Sequence, residues 1–273
     1  MSLPPVPNSG VWAPTITFFD HTTDRLDTES QAKYYKYLSS SGLAGLVVLG
    51  TNSETFLLTR EERKILLQVA REACGPSYPI MAGVGGHSTK QVLEFINDAA
   101  DAGADYVLLF FDDIATASPL PIVIYNFPAV CNGIDLDSAT IAKLAKKHSN
   151  IICSLWGQSD FLIGGLAAGS AGTIAGFANV FPKTIVKIYD LYQEGKIQEA
   201  MALHKKAALA EQPCKTGIAS VKYAAARNTA VLAGIEEAME KLKPRRPYLE
   251  PSETEKRDIE SQTSTLVDIE RSL

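Results

Sequence analysis

Short, almost wholly apolar segments alternate with capped helical stretches through the first 110 residues, and this rhythm constrains the fold more than any other feature. The apolar segments cover residues 11–17, 45–49, 79–84 and 106–110. Between them, three helix starts carry a side-chain cap followed three residues later by Gln or Glu: Thr28 with Gln31, Thr59 with Glu62, and Ser88 with Gln91. Glycines close these helices at Gly42, Gly75 and Gly103. Strands that are apolar on both faces and linked by helices imply a parallel sheet covered on each side. A doubly wound sheet and a (β/α)8 barrel both satisfy that pattern. No GxGxxG or GKS/GKT sequence follows the first strand, and Gly83-Val84-Gly85-Gly86 reads as a tight turn, so the barrel is favoured over a nucleotide-binding sheet.

The rhythm breaks twice. Only ten residues separate Phe110 from the next strand, Pro121-Ile122-Val123-Ile124, close to the minimum for a parallel crossover. After Ile151-Ile152-Cys153-Ser154-Leu155-Trp156, the chain passes through Gly157-Gln158-Ser159 straight into the helix-like Asp160-Phe161-Leu162-Ile163. With a last strand at Gly172-Thr173-Ile174-Ala175, seven strands stand where a closed (β/α)8 TIM barrel needs eight. The expected fold is thus an incomplete barrel over residues 10–182. A disordered arm (1–9) precedes it, and a C-terminal helical region (183–247) and a charged tail (248–273) follow. Losing a strand and a helix predicts a gap or a distortion in the barrel wall.

Composition narrows the function classes. The net charge of −5 leaves no basic footprint for nucleic acid, and no apolar run approaches the ~20 residues that span a bilayer. The opening residues have the look of neither a secretory signal nor a good transit peptide, so a cytoplasmic location is expected ahead of a mitochondrial one. Cys74, Cys131, Cys153 and Cys214 lack CxxC spacing, and His21, His87, His148 and His204 form no HExxH-type pair. No metal is expected.

In a barrel, chemistry belongs at the carboxyl ends of the strands. Those ends offer polar side chains mainly at Thr51, Asn52 and Tyr125. Backbone N–H groups from Gly50 to Ser53, with the Thr51 hydroxyl, suit a carboxylate, and Tyr125 suits proton transfer. Residue types alone leave open an ordinary Gly-Thr-Asn turn and a core tyrosine.

Four motifs in order resolve this choice: Gly50-Thr51-Asn52-Ser53-Glu54, Ala82-Gly83-Val84-Gly85, Tyr125-Asn126-Phe127-Pro128, and the run from Gly172 to Pro182. With them the chain resembles the dihydrodipicolinate synthase / N-acetylneuraminate lyase family of class I aldolases. Within that family it is most similar to fungal 2-keto-3-deoxy-acid or 4-hydroxy-2-oxoglutarate aldolases. The resemblance implies a lyase that binds pyruvate or a larger 2-oxo acid and forms a Schiff base on a sixth-strand lysine. It implies carboxylate binding by Gly50, Thr51 and Asn52, proton relay by Tyr125 and Thr51, and main chain near Ile174 lining the pocket. No cofactor is implied, and a homo-oligomer is expected from the helices stacked behind the barrel.

The sequence departs from the family at the decisive point. The Schiff-base lysine position falls on Leu155, and the end of strand six, its helix and most of strand seven are missing, as is the loop after strand four. A skipped exon or faulty gene model of an aldolase accounts for both cuts. A catalytically silent homologue that binds oxo acids, or that pairs with an intact paralogue, is the alternative. Lys64, Lys90, Lys143, Lys146, Lys147, Lys183 and Lys222 are expected to be solvated charges away from strand ends.

Overall fold

The computed structural model describes residues 6–109, 118–125 and 151–273, with the backbone alone at 109, 124, 125 and 151–157. The amino-terminal half of the ring begins with β1 (Gly10–Pro14). A two-stranded ribbon of β2 (Phe19–Asp20) and β3 (Arg25–Leu26) follows it. Next come α1 (Thr28–Ser39), β4 (Gly45–Val48), α2 (Arg60–Cys74), β5 (Ile80–Gly83), α3 (Thr89–Asp101) and β6 (Tyr106–Leu109). Then β7 (Ile122–Tyr125), β8 (Ile151–Gly157), α4 (Leu162–Ala167) and β9 (Gly172–Ile174) complete it. Among the described residues, β1, β4, β5, β6, β7, β8 and β9 pair in that order, all parallel, into a closed seven-stranded barrel.

This is the incomplete barrel that the sequence predicts, and β8 explains how it closes. At seven residues β8 is the longest of these strands. It pairs with β7 through Ile151, Cys153, Ser154 and Leu155, then with β9 through Trp156 and Gly157. One strand thus takes the start of its ladder from one neighbour and the end from the other. The wall shows no gap. Its distortion is a register shift between Ile122 and Val123, where β7 meets β8. The shortened connection at 110–117 lies outside the described residues, but β6 and β7 on either side of it remain in register from Val107↔Ile122 to Leu109↔Ile124.

The interior is filled by Trp12, Val47, Met81, Tyr106, Val123 and Ile174, each buried. Trp12 meets Tyr106 edge-to-face at 6.2 Å. Gly45 makes room for the indole, since a Cβ there would lie 2.2 Å from it. A second, larger apolar layer lies between the strands and the outer helices.

Two helix starts differ from the sequence reading. Asp27, not Thr28, caps α1 by accepting from Ser30 N–H. Gln31 is drawn inward instead, accepting from Phe18 N–H and donating to Ile16 O. The carboxylate outcompetes the hydroxyl one residue later because it reaches the same orphan N–H groups with a full charge. The Thr59–Glu62 box forms completely. Ser88 caps α3, while Gln91 accepts from His87 N–H and not from Ser88.

Behind the ring stand α5 (Pro182–Gln193), α6 (Ile197–Glu211), α7 (Ile218–Arg227), α8 (Thr229–Leu232), α9 (Ala238–Lys241) and α10 (Glu253–Ser272). The charged tail is a firmly packed helix. Ile259 and Leu266 of α10 are buried, and Glu270 accepts from Lys183 N–H, Thr184 N–H and the Thr184 hydroxyl, capping α5 from a distance. Ser252 and Glu255 give α10 a full capping box that the sequence reading passed over.

A Cβ on Gly83 would lie 2.1 Å from the carbonyl oxygen of Leu49, a backbone atom that cannot swing aside. Gly83→Ala is expected to cost about 3 kcal/mol of stability or to block folding. Gly85→Ala, where a Cβ meets open space, should change the urea midpoint little.

Candidate active site

All strands of the ring run the same way, so their carboxyl ends share one mouth. Gly50 to Ser53 follow β4, Tyr125 ends β7 and Ile174 ends β9. In a ring of seven no two strands are more than three steps apart, and β4 and β7 are at that limit, on opposite sides of the mouth. The Tyr125 side chain lies outside the described residues. Its backbone pairs with Leu155, so the position the resemblance gives to the Schiff-base lysine stands beside Tyr125 and holds leucine.

The Gly50 loop is built rigidly. Ser53 is buried; its hydroxyl donates to Thr15 O at 2.6 Å and accepts from Leu49 N–H at 3.1 Å, while Thr17 donates to Ser53 O at 2.8 Å. The end of β1 therefore grips the loop after β4. Two non-glycine residues flank the turn in left-handed conformations, Leu49 at φ 66° and Glu54 at φ 55°. Each costs about 1–2 kcal/mol against an ordinary conformation, so the surrounding bonds must hold them there. Between them Thr51 to Ser53 form one turn of 3₁₀ helix with no side-chain cap. Thr51 is exposed and Asn52 half-buried. The loop thus presents a hydroxyl, an amide and main chain on a fixed frame.

The loop after β9 packs beside it. A Cβ on Gly176 would lie 3.0 Å from Asn52 Nδ2, so glycine there lets the amide approach. Asn179 Nδ2 donates to Pro14 O at 2.8 Å and Gly176 O at 3.0 Å, tying this loop to the end of β1. Ile174 is buried in the barrel interior. Gly50, Thr51, Asn52 and Ile174 are thereby gathered on one side of the mouth.

The loop after β8 is held from behind. Buried Glu211 of α6 accepts from Ser159 N–H, from the Ser159 hydroxyl at 2.6 Å and from Asp160 N–H at 2.9 Å. Burial raises the Glu211 carboxyl above its usual range against these bonds. Lys215 donates to Gln158 Oε1 at 3.1 Å and pairs with Asp160, which brings its amine against a strand-end loop.

Lys222 is not the solvated charge expected from sequence. It is fully buried, its Nζ 2.5 Å from buried Glu54, because α7 is buried on nearly every side and the amine has no route to water. Sequence reasoning also missed Lys215 and Glu211, and it placed Ser53 and Glu54 in the loop motif without their buried side-chain bonds. The signal for Lys222 was present: a single lysine inside the otherwise uncharged, mostly apolar run from Ile218 to Ala226.

Comparison with known proteins decides the ancestry. The sequence profile of the Dihydrodipicolinate synthetase family matches residues 7–154. The chain belongs to this family. A Coccidioides immitis relative named for mitochondrial 4-hydroxy-2-oxoglutarate aldolase is 54% identical, covering 99% of each chain. An L-threo-3-deoxy-hexylosonate aldolase of Hypocrea jecorina is 31% identical over 87% of this chain and 98% of its own. A crystal structure of a dihydrodipicolinate synthase family protein from C. immitis superposes with TM-score 0.93 at 52% identity, covering 99% of both. By descent this member of the dihydrodipicolinate synthetase family is a lyase. The family profile stops at Ser154, one residue before Leu155, on which the lysine position falls by resemblance. The alignment to the C. immitis aldolase runs over 312 positions, and 312 against 273 residues leaves at least 39 positions with no counterpart in this chain.

The His204 ring bonds Asp160 O through Nε2 at 3.1 Å, and its buried Nδ1 has no partner among the described residues. Burial lowers its pKa below 6.5. The unfolded chain then binds the extra proton first, so this group's contribution to stability is lost as pH falls from 6.5 through the folded value. Urea unfolding at pH 7 and pH 5 should show that loss in the native chain, and a smaller one in His204→Gln.

Proposed function

We propose that this chain is a class I aldolase by descent that keeps the 2-oxo-acid binding loop and lacks the Schiff-base lysine. In the intact relatives' chemistry, a lysine amine condenses with the keto carbon and stores the electrons released when the carbon–carbon bond breaks. Here the strand position beside Tyr125 is Leu155, which has no amine to condense. This one observation carries the reading.

What the remaining residues do follows from their chemistry. Thr51, Asn52 and the backbone around Gly50 hold the oxo-acid carboxylate on the left-handed frame, and Tyr125 stands across the mouth to move a proton with Thr51 as relay. The relatives' names point to 4-hydroxy-2-oxoglutarate and 3-deoxy-hexylosonate as the substrate class. The names of two relatives also place them in mitochondria, which weighs towards that compartment over the cytoplasm. Among the described residues no helix is long and apolar enough to cross a membrane. Self-association through the rear helices and assembly with an intact paralogue both fit the silent-homologue reading.

Pyruvate with sodium borohydride, followed by intact-mass analysis, should give no adduct on this chain. A stoichiometric adduct would overturn the proposal, with Lys215→Ala and Lys183→Ala locating the amine. Calorimetry with pyruvate should still show binding, and Thr51→Val should weaken it by roughly tenfold, the worth of one hydrogen bond to a charged group.

A further inference from the structure

Glu54 and Lys222 lie 168 positions apart in sequence, and both side chains are wholly buried. Lys222 Nζ donates to Glu54 Oε1 at 2.5 Å and to Lys243 O at 3.0 Å, while Arg245 N–H donates to Glu54 Oε2 at 2.7 Å. The Phe19 ring meets both cations, its centroid 4.8 Å from the Lys222 amine and 5.0 Å from the Arg245 guanidinium carbon. Arg245 forks onto Glu62 at 2.7 and 2.9 Å. Both oxygens of Glu54 are therefore fixed by the segment that follows the barrel.

Glu54 is also the left-handed residue that ends the Thr51–Ser53 turn. Its backbone keeps that conformation while its side chain is anchored in this one direction. Released, it returns to the ordinary helical or extended region and the turn before it re-aims. We infer that the buried Glu54–Lys222 pair is a latch through which the C-terminal helical region sets the conformation of the oxo-acid loop. Glu54 and Lys222 act as positioning residues: neither is exposed to a ligand, and they work through Thr51 and Asn52. The inference rests on the proposed oxo-acid reading for its consequence and not for its structural content.

Single substitutions strand a buried charge and can unfold the chain, so the test uses Glu54→Gln/Lys222→Met, which removes both charges and keeps the volume. Hydrogen exchange read amide by amide should show Thr51, Asn52 and Ser53 exchanging about tenfold faster or more, as the relief of one strained residue implies. Strand amides at Val47 and Met81 and the urea midpoint should stay near native values. Pyruvate affinity should fall by about the same factor. Unchanged loop exchange in a folded double variant would overturn the latch, as would uniform acceleration of loop and strands together. If the native chain itself binds no pyruvate, the oxo-acid reading fails, and loop exchange alone decides the latch.

Discussion

A parallel barrel stands only if its last strand finds its first, because two open edges would leave a row of unpaired backbone groups in an apolar setting. In this chain that requirement falls on β8, which pairs with β7 through four of its first five residues and with β9 through its last two. β9 in turn pairs with β1 from Gly10↔Gly172 to Trp12↔Ile174. The mouth, the gripped Gly50 loop and the packing of the rear helices all presuppose this closure. A ring with one strand fewer is also narrower, so the cut reshapes the interior as well as removing a lysine.

Around that ring, polar bonds are concentrated where loops must be held still. Ser53 and Thr17 join the ends of β1 and β4, Asn179 joins β1 to the β9 loop, and Glu211 holds the β8 loop from α6. Each is buried, and each satisfies main-chain groups that would otherwise be unpaired. Leu49 and Glu54, two of the five non-glycine residues with positive φ among the described residues, bracket the stretch that carries the candidate binding groups. Such local strain survives only inside a frame of this kind.

Much of the fold was legible because strand and helix announce themselves locally. The apolar runs at 45–49 and 79–84, with their Thr59 and Ser88 caps, became β4, β5, α2 and α3 with small shifts at the ends. Gly50, Thr51 and Asn52 were legible as a polar loop at a strand end, and the seven-strand count followed from the shortened spacing after Leu155. The rest depends on partners far away in sequence. Nothing near Glu54 says that its side chain points inward, and nothing near Lys222 names a carboxylate 168 positions earlier. Closure was also hidden, because a strand serving two neighbours looks locally like any other apolar run.

The distance between Glu54 and Lys222 has a temporal side. A ribosome adds roughly 5–20 residues per second, so Glu54 is made about 8 to 34 seconds before its lysine partner, 168 positions later. During that interval Glu54 has its charge and its place in the chain but no counter-ion. The nascent barrel half must keep a carboxylate solvated that the finished protein encloses. The binding loop is therefore among the first parts of the site to be synthesised and among the last to be set.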